Sequence, residues 1–203
     1  MMSDGMALKI AIDLMHVPSQ VRLFRSEPLP DGVLMVLRIA AGEEESEQAA
    51  VALTGRSLDL IRKAAMFFIE QILFAPDADS YRVLGTGAEA SAGELRRNVA
   101  LLLRWLHPDR DPHGERSVFI GKVTAAWNNL KTPQRRNAYD DQLRSSYRSK
   151  SRSKRTRRHS SGKPLSNGGY AGNRGGVRPT WRGTTKIGFF RRVLAALFHR
   201  PLL

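Results

Sequence analysis

The chain of 203 residues has no cysteine. Disulfide frameworks, thiol nucleophiles and cysteine-ligated zinc are therefore excluded, and the composition suits a reducing compartment. Long apolar runs are missing as well. Lys9 and Asp13 break up the early apolar stretch, nothing reaches the roughly 18 uncharged apolar residues of a membrane span, and the opening residues do not read as a secretory signal. Histidine is scarce: five are scattered along the chain, and His107 has no Cys, His or carboxylate at a ligand spacing around it. Neither a metal centre nor general-base catalysis is expected from that pattern, so the chain does not read as an enzyme and implies no cofactor. Acid is absent from residues 144–203, which hold 16 of the 33 Lys and Arg and leave residues 1–143 with 17 basic against 19 acidic side chains. The net charge of +14 is thus a property of a tail and not of a folded surface.

What is present is helical periodicity. Pro18, Pro28 and Pro30 divide residues 1–30 into short pieces without a clear pattern. The run VLMVLRIAA at 33–41, ended by Gly42, reads as a short buried helix, and residues 44–53 as a second with acids in its first turn. A third, capped by Ser57 and running to 74, places Leu58, Ile61, Ala65, Phe68, Ile69 and Ile72 on one face. Met66, Phe67, Leu73 and Phe74 extend that stripe almost all the way round. Such a helix is covered by more than one neighbour, so it is expected between the N-terminal elements and the helices that follow; a partner-binding surface is the alternative.

After Pro76, Asp79 can cap a short helix carrying Tyr81, Val83 and Leu84, which Gly85 ends. Ser91-Ala92-Gly93-Glu94 matches the capping box and should open a longer helix. At 100° per residue Leu95, Val99, Leu102 and Leu106 share one face and Arg97 and Arg104 the other. Pro108 cannot continue that helix, so His107-Pro108-Asp109 must form a turn at its end. Phe119, Val123, Ala126, Trp127 and Leu130 mark a partner helix, expected to lie antiparallel to the first. Thr132-Pro133 then opens a last short helix, with the folded part ending near Leu143.

Residues 77–143 resemble the J-domain of the DnaJ co-chaperone family. The likeness rests on YRVLG at 81–85, the Leu95/Val99/Leu102 helix, the tripeptide at 107–109, Phe119 with Ala126-Trp127, and RRNAYD at 135–140, all in register. A His-Pro-Asp turns up by chance in about one chain in forty of this length, so the specificity lies in its union with both helices. The resemblance implies docking on a DnaK-type ATPase chaperone and stimulation of its ATP hydrolysis. It implies that His107, Pro108 and Asp109 carry the effect, and that Arg96, Arg97, Arg104 and Arg110 face an acidic surface of the chaperone. Arginines on one rigid helix face steer an acidic partner, and a proline-fixed loop presents its polar ends at little ordering cost. Two positions depart from the family. Ala100 and Leu101, read as outward, stand where many relatives carry further Lys or Arg, and Trp105-Leu106 stands where an aromatic usually comes directly before the histidine. Without cysteine the zinc module of larger relatives is also missing.

The expected architecture is therefore all-α: an N-terminal, mostly helical region at 1–76, a J-domain hairpin with two short flanking helices at 77–143, a disordered basic linker at 144–186 and a short amphipathic helix at 187–203. In that last segment Phe190, Val193, Leu194, Leu197 and Phe198 form a stripe with Arg192 and His199 opposite. The tail, with Arg152, Lys154, Arg155, Arg157 and Arg158, could solubilise, bind nucleic acid through phosphates, or meet an anionic membrane surface together with Phe190, Leu194 and Leu197. Sparse aromatics limit base stacking, and folding of the terminal stripe back onto the N-terminal helices is a further option. A nucleic-acid or membrane-surface scaffold is the alternative to the co-chaperone. A cytoplasmic location, peripheral at the membrane if the tail binds lipid, is the expectation, and the client is not specified.

Overall fold

A computed structural model describes residues 5–110 and 114–159. The described residues are all-α: α1 Met6–His16, α2 Val21–Ser26, α3 Val33–Ala40, α4 Glu44–Thr54, α5 Leu58–Phe68, α6 Ser80–Val83, α7 Ala92–Trp105, α8 Ile120–Leu130 and α9 Pro133–His159, with short 3-10 turns at Pro18–Gln20, Pro108–Arg110 and Glu115–Phe119. The chain divides into two compact units, Met1–Arg136 and Asn137–Leu203.

The first unit has an unbroken helical core. α1 buries Ala7, Leu8, Ala11, Ile12 and Leu14, a stripe at helical spacing, and packs on α5 and α3. The proline-punctuated residues 1–30 thus resolve into two helices, because Pro18 sits at the first position of a turn, where its missing N–H costs nothing. Gly42 closes the turn after α3 at φ 67°, its N–H donating to the Ile39 carbonyl. α5 begins after Ser57, whose side chain makes no capping bond, and it does not run on as a regular helix to 74. Residues Ile69–Leu73 widen into a π-turn, held where Arg25 donates to the Gln71 carbonyl at 2.8 Å and to its side-chain oxygen at 2.9 Å.

Along α7 the neighbouring N-terminal helix is α3, while the stretch 57–74 lies between the N-terminal elements and the later helices as expected, touching the latter through Met66 and Phe74. α5 packs on α1, α3 and α4, and the chain reaches the later helices at its end, where Phe74 meets Trp105 and Phe119. Lys122 of α8 donates to the carbonyls of Phe74, at 2.5 Å, and Ala75, at 3.3 Å, so a cation from α8 satisfies carbonyls that the end of the π-turn leaves open. Arg82 of α6 in turn donates to the carbonyls of Phe24 and Glu27. These ties join residues before 77 to those after it.

α9 is longer than the expected stop near Leu143 and continues to His159, through the first part of the segment read as a disordered linker. Its sequence contains neither Gly nor Pro after Pro133 until Gly162, so nothing local breaks it, and Arg, Lys and Gln are adequate helix formers. Within the second unit it is supported by Arg144–Asp141 at 3.5 Å and by Ser145 and Ser146 donating to the carbonyls three residues back.

Gly85 is the tightest point of the α3 seam. Its φ is +67°, and a Cβ there would meet Val33 Cγ1 at 2.9 Å and Leu37 Cδ1 at 3.3 Å. Left-handed backbone and overpacking add, so Gly85→Ala should lower unfolding stability by at least about 2 kcal/mol. Gly87→Ala, with nothing within 4 Å, should stay within about 0.5 kcal/mol of the parent. Urea unfolding of both variants checks the contrast.

Candidate functional site: the His-Pro-Asp corner

α7 is set by its first turn. Ser91 Oγ accepts from the Glu94 N–H at 3.2 Å, and the Ser91 N–H donates back to the Glu94 carboxylate at 2.8 Å, the expected capping box. The Ser91 N–H, and then the Ser91 hydroxyl donating to the same carboxylate at 2.8 Å, hold the Glu94 carboxyl below the usual carboxylate range. Asn98, buried at 2% exposure, donates from Nδ2 to the Leu84 carbonyl at 2.9 Å and fixes α7 to the turn after α6. Sequence periodicity did not single it out, since an Asn on an otherwise apolar face reads as a solvent position.

Leu95, Asn98, Val99, Leu101, Leu102, Leu103 and Trp105 are all buried on α7. One side of the helix packs against α8 to form a helical hairpin and another is covered by α3. Leu101, at 7% exposure, therefore does not stand outward. Its apolar character is explained by α3, which covers the ground that a charged side chain would otherwise share with water. Arg96, Arg97 and Arg104 remain exposed, and Arg97 and Arg104, seven residues apart, lie within about 20° of one another around the axis.

The chain leaves α7 at Leu106, and Pro108–Arg110 form one 3-10 turn. The side chains of His107 and Asp109 are 39% and 86% exposed, with His107 Nδ1 3.3 Å from Asp109 Oδ2. The Asp109 backbone N–H also donates to His107 Nδ1 at 3.3 Å. These two uses exclude each other: Nδ1 without a proton accepts from the backbone, whereas Nδ1 carrying a proton donates to the carboxylate. Either way the imidazole is tied to the residue two positions on, and the Asp109 carboxylate stands largely in solvent. The side chain of Arg110 lies outside the described residues, as do those of Arg152, Lys154, Arg155, Arg157 and Arg158, whose backbones continue α9. Phe190, Leu194 and Leu197 lie wholly outside the described residues, as does the rest of the segment at 187–203.

Behind the corner Trp105 is 1% exposed, its ring centroid 6.0 Å from that of Phe74 and 6.5 Å from that of Phe119, and Arg116 lies over it at 5.2 Å. On the far side of the hairpin Arg136 donates to Tyr81 Oη at 3.0 Å and to the carbonyls of Ala90 and Ala88 at 2.7 and 2.5 Å. It thereby pins the loop between α6 and α7. Among the described residues no group of three or more His, Asp or Glu side chains could hold a metal ion, and no helix is long and apolar enough to cross a membrane.

The DnaJ domain family model matches residues 79–140. Those residues form a J-domain. Over this region the chain is 35% identical across 68 residues to chaperone protein DnaJ 1 of Mycobacterium leprae (strain TN), 34% of this chain and 18% of that protein. It is 40% identical across 63 residues to chaperone protein DnaJ of Leifsonia xyli subsp. xyli (strain CTCB07), 31% of this chain and 17% of the relative. It is 38% identical across 77 residues to the human DnaJ homolog subfamily C member 16, 37% of this chain and 10% of the relative. The likeness thus covers less than a fifth of each of these relatives and about a third of this chain. No solved structure matches the chain. In the J-domain α6, α7 and α8 supply the hairpin and its brace, and the corner stands at the end of α7.

Support and surface of this J-domain separate cleanly. Trp105→Ala should cost about 3–5 kcal/mol of stability, whereas Ala at Arg96, Arg97 or Arg104 should each stay within about 0.5 kcal/mol. Thermal or urea unfolding of the four variants reads this difference.

Proposed function

We propose that the protein is a J-domain co-chaperone that docks on a DnaK-type ATPase chaperone and stimulates its ATP hydrolysis through the corner at His107, Pro108 and Asp109. The observation that carries this reading is the exposed corner itself, with Asp109 at 86% and His107 at 39% side-chain exposure at the end of a helix braced on two sides. A partner cation can pair with the Asp109 carboxylate without first ordering a flexible loop. Arg96, Arg97 and Arg104, with Arg110 just past the corner, steer the acidic face of the chaperone, chiefly through on-rate and orientation. No covalent step is required of the protein. Residues 1–76 and the tail supply location or client choice, and the tail, with 16 Lys and Arg and no acid, meets an anionic membrane surface or nucleic acid. Its site of action is cytoplasmic, peripheral at the membrane where the tail engages lipid.

The test is steady-state ATPase stimulation of the host's DnaK-type chaperones by the purified protein. Wild type should raise the rate and His107→Gln should return it to the basal value, with an unchanged unfolding midpoint. No stimulation by wild type across those chaperones would overturn the reading.

The role of the tail is separable. Removal of residues 144–203 should leave the stimulation intact while abolishing salt-sensitive binding to anionic vesicles or nucleic acid. Loss of stimulation with the tail would favour a scaffold acting through its basic extension.

A further inference from the structure

The corner belongs to the J-domain, but part of what holds its base does not. α8 is tied at both ends. At its far end Asn129 Nδ2 donates to Ser80 Oγ at 3.0 Å, a bond between two residues of the 79–140 match. At its near end, where the chain arrives from the corner, Lys122 Nζ donates to the carbonyls of Phe74 at 2.5 Å and Ala75 at 3.3 Å, and both acceptors precede the match.

The acceptors are placed by a local irregularity. Residues Ile69–Leu73 form the π-turn, and the Phe74 N–H closes it by donating to the Ile69 carbonyl, five residues back, at 2.9 Å. Phe74 and Ala75 are both buried, with the Phe74 ring centroid 6.0 Å from that of Trp105 and 4.9 Å from that of Phe119. Trp105 stands two positions before His107, and Phe119 immediately precedes α8. Phe74 therefore reaches both legs of the loop that carries the corner: its ring packs on the last turn of α7 and on the entry to α8, and its carbonyl holds the first turn of α8. The ammonium of Lys122 also meets the carbonyl end of a helical segment, where the dipole favours a cation and the bond is charge-assisted.

We propose that Lys122 and Phe74 are positioning residues for the corner: together they hold the end of α7 and the start of α8 at one separation, so that residues before the J-domain set how often His107 and Asp109 are presented in the docking geometry. The link to ATPase stimulation rests on the co-chaperone reading; the clamp does not. Without the cation the start of α8 keeps its far tie at Asn129 but swings relative to the end of α7, and the corner samples arrangements that do not dock. A partner then binds only the competent fraction, so its apparent affinity falls in proportion while the complex, once formed, is the same. The half-stimulating concentration rises and the maximal rate stays. That split separates a positioning role from loss of the corner's own contacts.

Two measurements on the full-length protein, at a temperature where each variant is folded, test this: ATPase stimulation titrations, and the ¹⁵N–¹H signal of the Asp109 amide, which donates to His107 Nδ1. Lys122→Met should raise the half-stimulating concentration about fivefold or more, as a competent fraction cut to about one fifth requires. The maximal rate, which His107→Gln loses, should be kept, and the Asp109 signal should broaden or shift by exchange. Lys122→Arg, which keeps a cation able to donate to both carbonyls, should restore most of both readouts. Phe74→Leu, which keeps the backbone acceptor and removes the ring, should act in the same direction, and carries the test if Lys122→Met does not fold. Asn129→Ala, at the far end of α8, should leave both readouts at wild-type values. An unchanged half-stimulating concentration in folded Lys122→Met overturns the proposal even if its unfolding midpoint falls, as does an equal rise in Asn129→Ala. A wild type that stimulates no DnaK-type chaperone overturns the partner reading instead, and the clamp then stands or falls on whether Lys122→Met moves the Asp109 signal.

Discussion

The burial of Trp105 is the constraint on which the rest of the structure depends. Its indole packs against both Phe74, from the end of the N-terminal helices, and Phe119, at the entry to α8, and Phe74 and Phe119 touch each other at 4.9 Å. Three aromatic rings from three separate stretches of chain thus meet directly behind the His-Pro-Asp corner. Large aromatic side chains supply much apolar burial and interact through ring geometry as well as area. The π-turn at Ile69–Leu73 belongs to the same arrangement: it changes the pitch of the chain just before Phe74, and Lys122 from α8 takes up the carbonyls that follow.

A two-helix hairpin would ordinarily bury one stripe of each helix and leave the other to water. Here α3 covers a second side of α7, and Gly85 is required because α3 comes too close to admit a Cβ. The functional consequence is mechanical. The corner is attached to a helix packed on two sides, and the side chains of His107 and Asp109 are 39% and 86% exposed at its end. The arginines share the support: Arg97 and Arg104 occupy the part of α7 that neither α3 nor α8 covers. Docking through such a surface loses little conformational freedom, which favours affinity without a large contact area.

Much of this was legible in the residues. The capping box at Ser91 and Glu94, the Asp79 cap, whose carboxylate accepts from the Arg82 N–H at 2.9 Å, and Thr132 accepting from the Arg135 N–H at 3.3 Å are local chemistry, and each formed where its residues stand. The turn at 107–109 follows from the ring of Pro108. Leu101 was misread as an outward position because periodicity was counted for a helix with one apolar neighbour, and α3 is a second. The breadth of the α5 stripe pointed to several partners but not to which ones; they are α1, α3 and α4. The extent of α9 was underestimated because polar composition was weighed above the absence of Gly and Pro.

Sequence by itself determined the helices, their caps, the corner and the family to which residues 79–140 belong, because each of these depends on residues within a turn or two of one another. The joining of the N-terminal helices to the J-domain was decided only by the tertiary structure. Lys122 meets Phe74 across 48 positions, Arg116 meets Met66 across 50 and Arg82 meets Phe24 across 58. Contacts over such separations leave no period or spacing in the chain; they exist only once packing has brought the partners together.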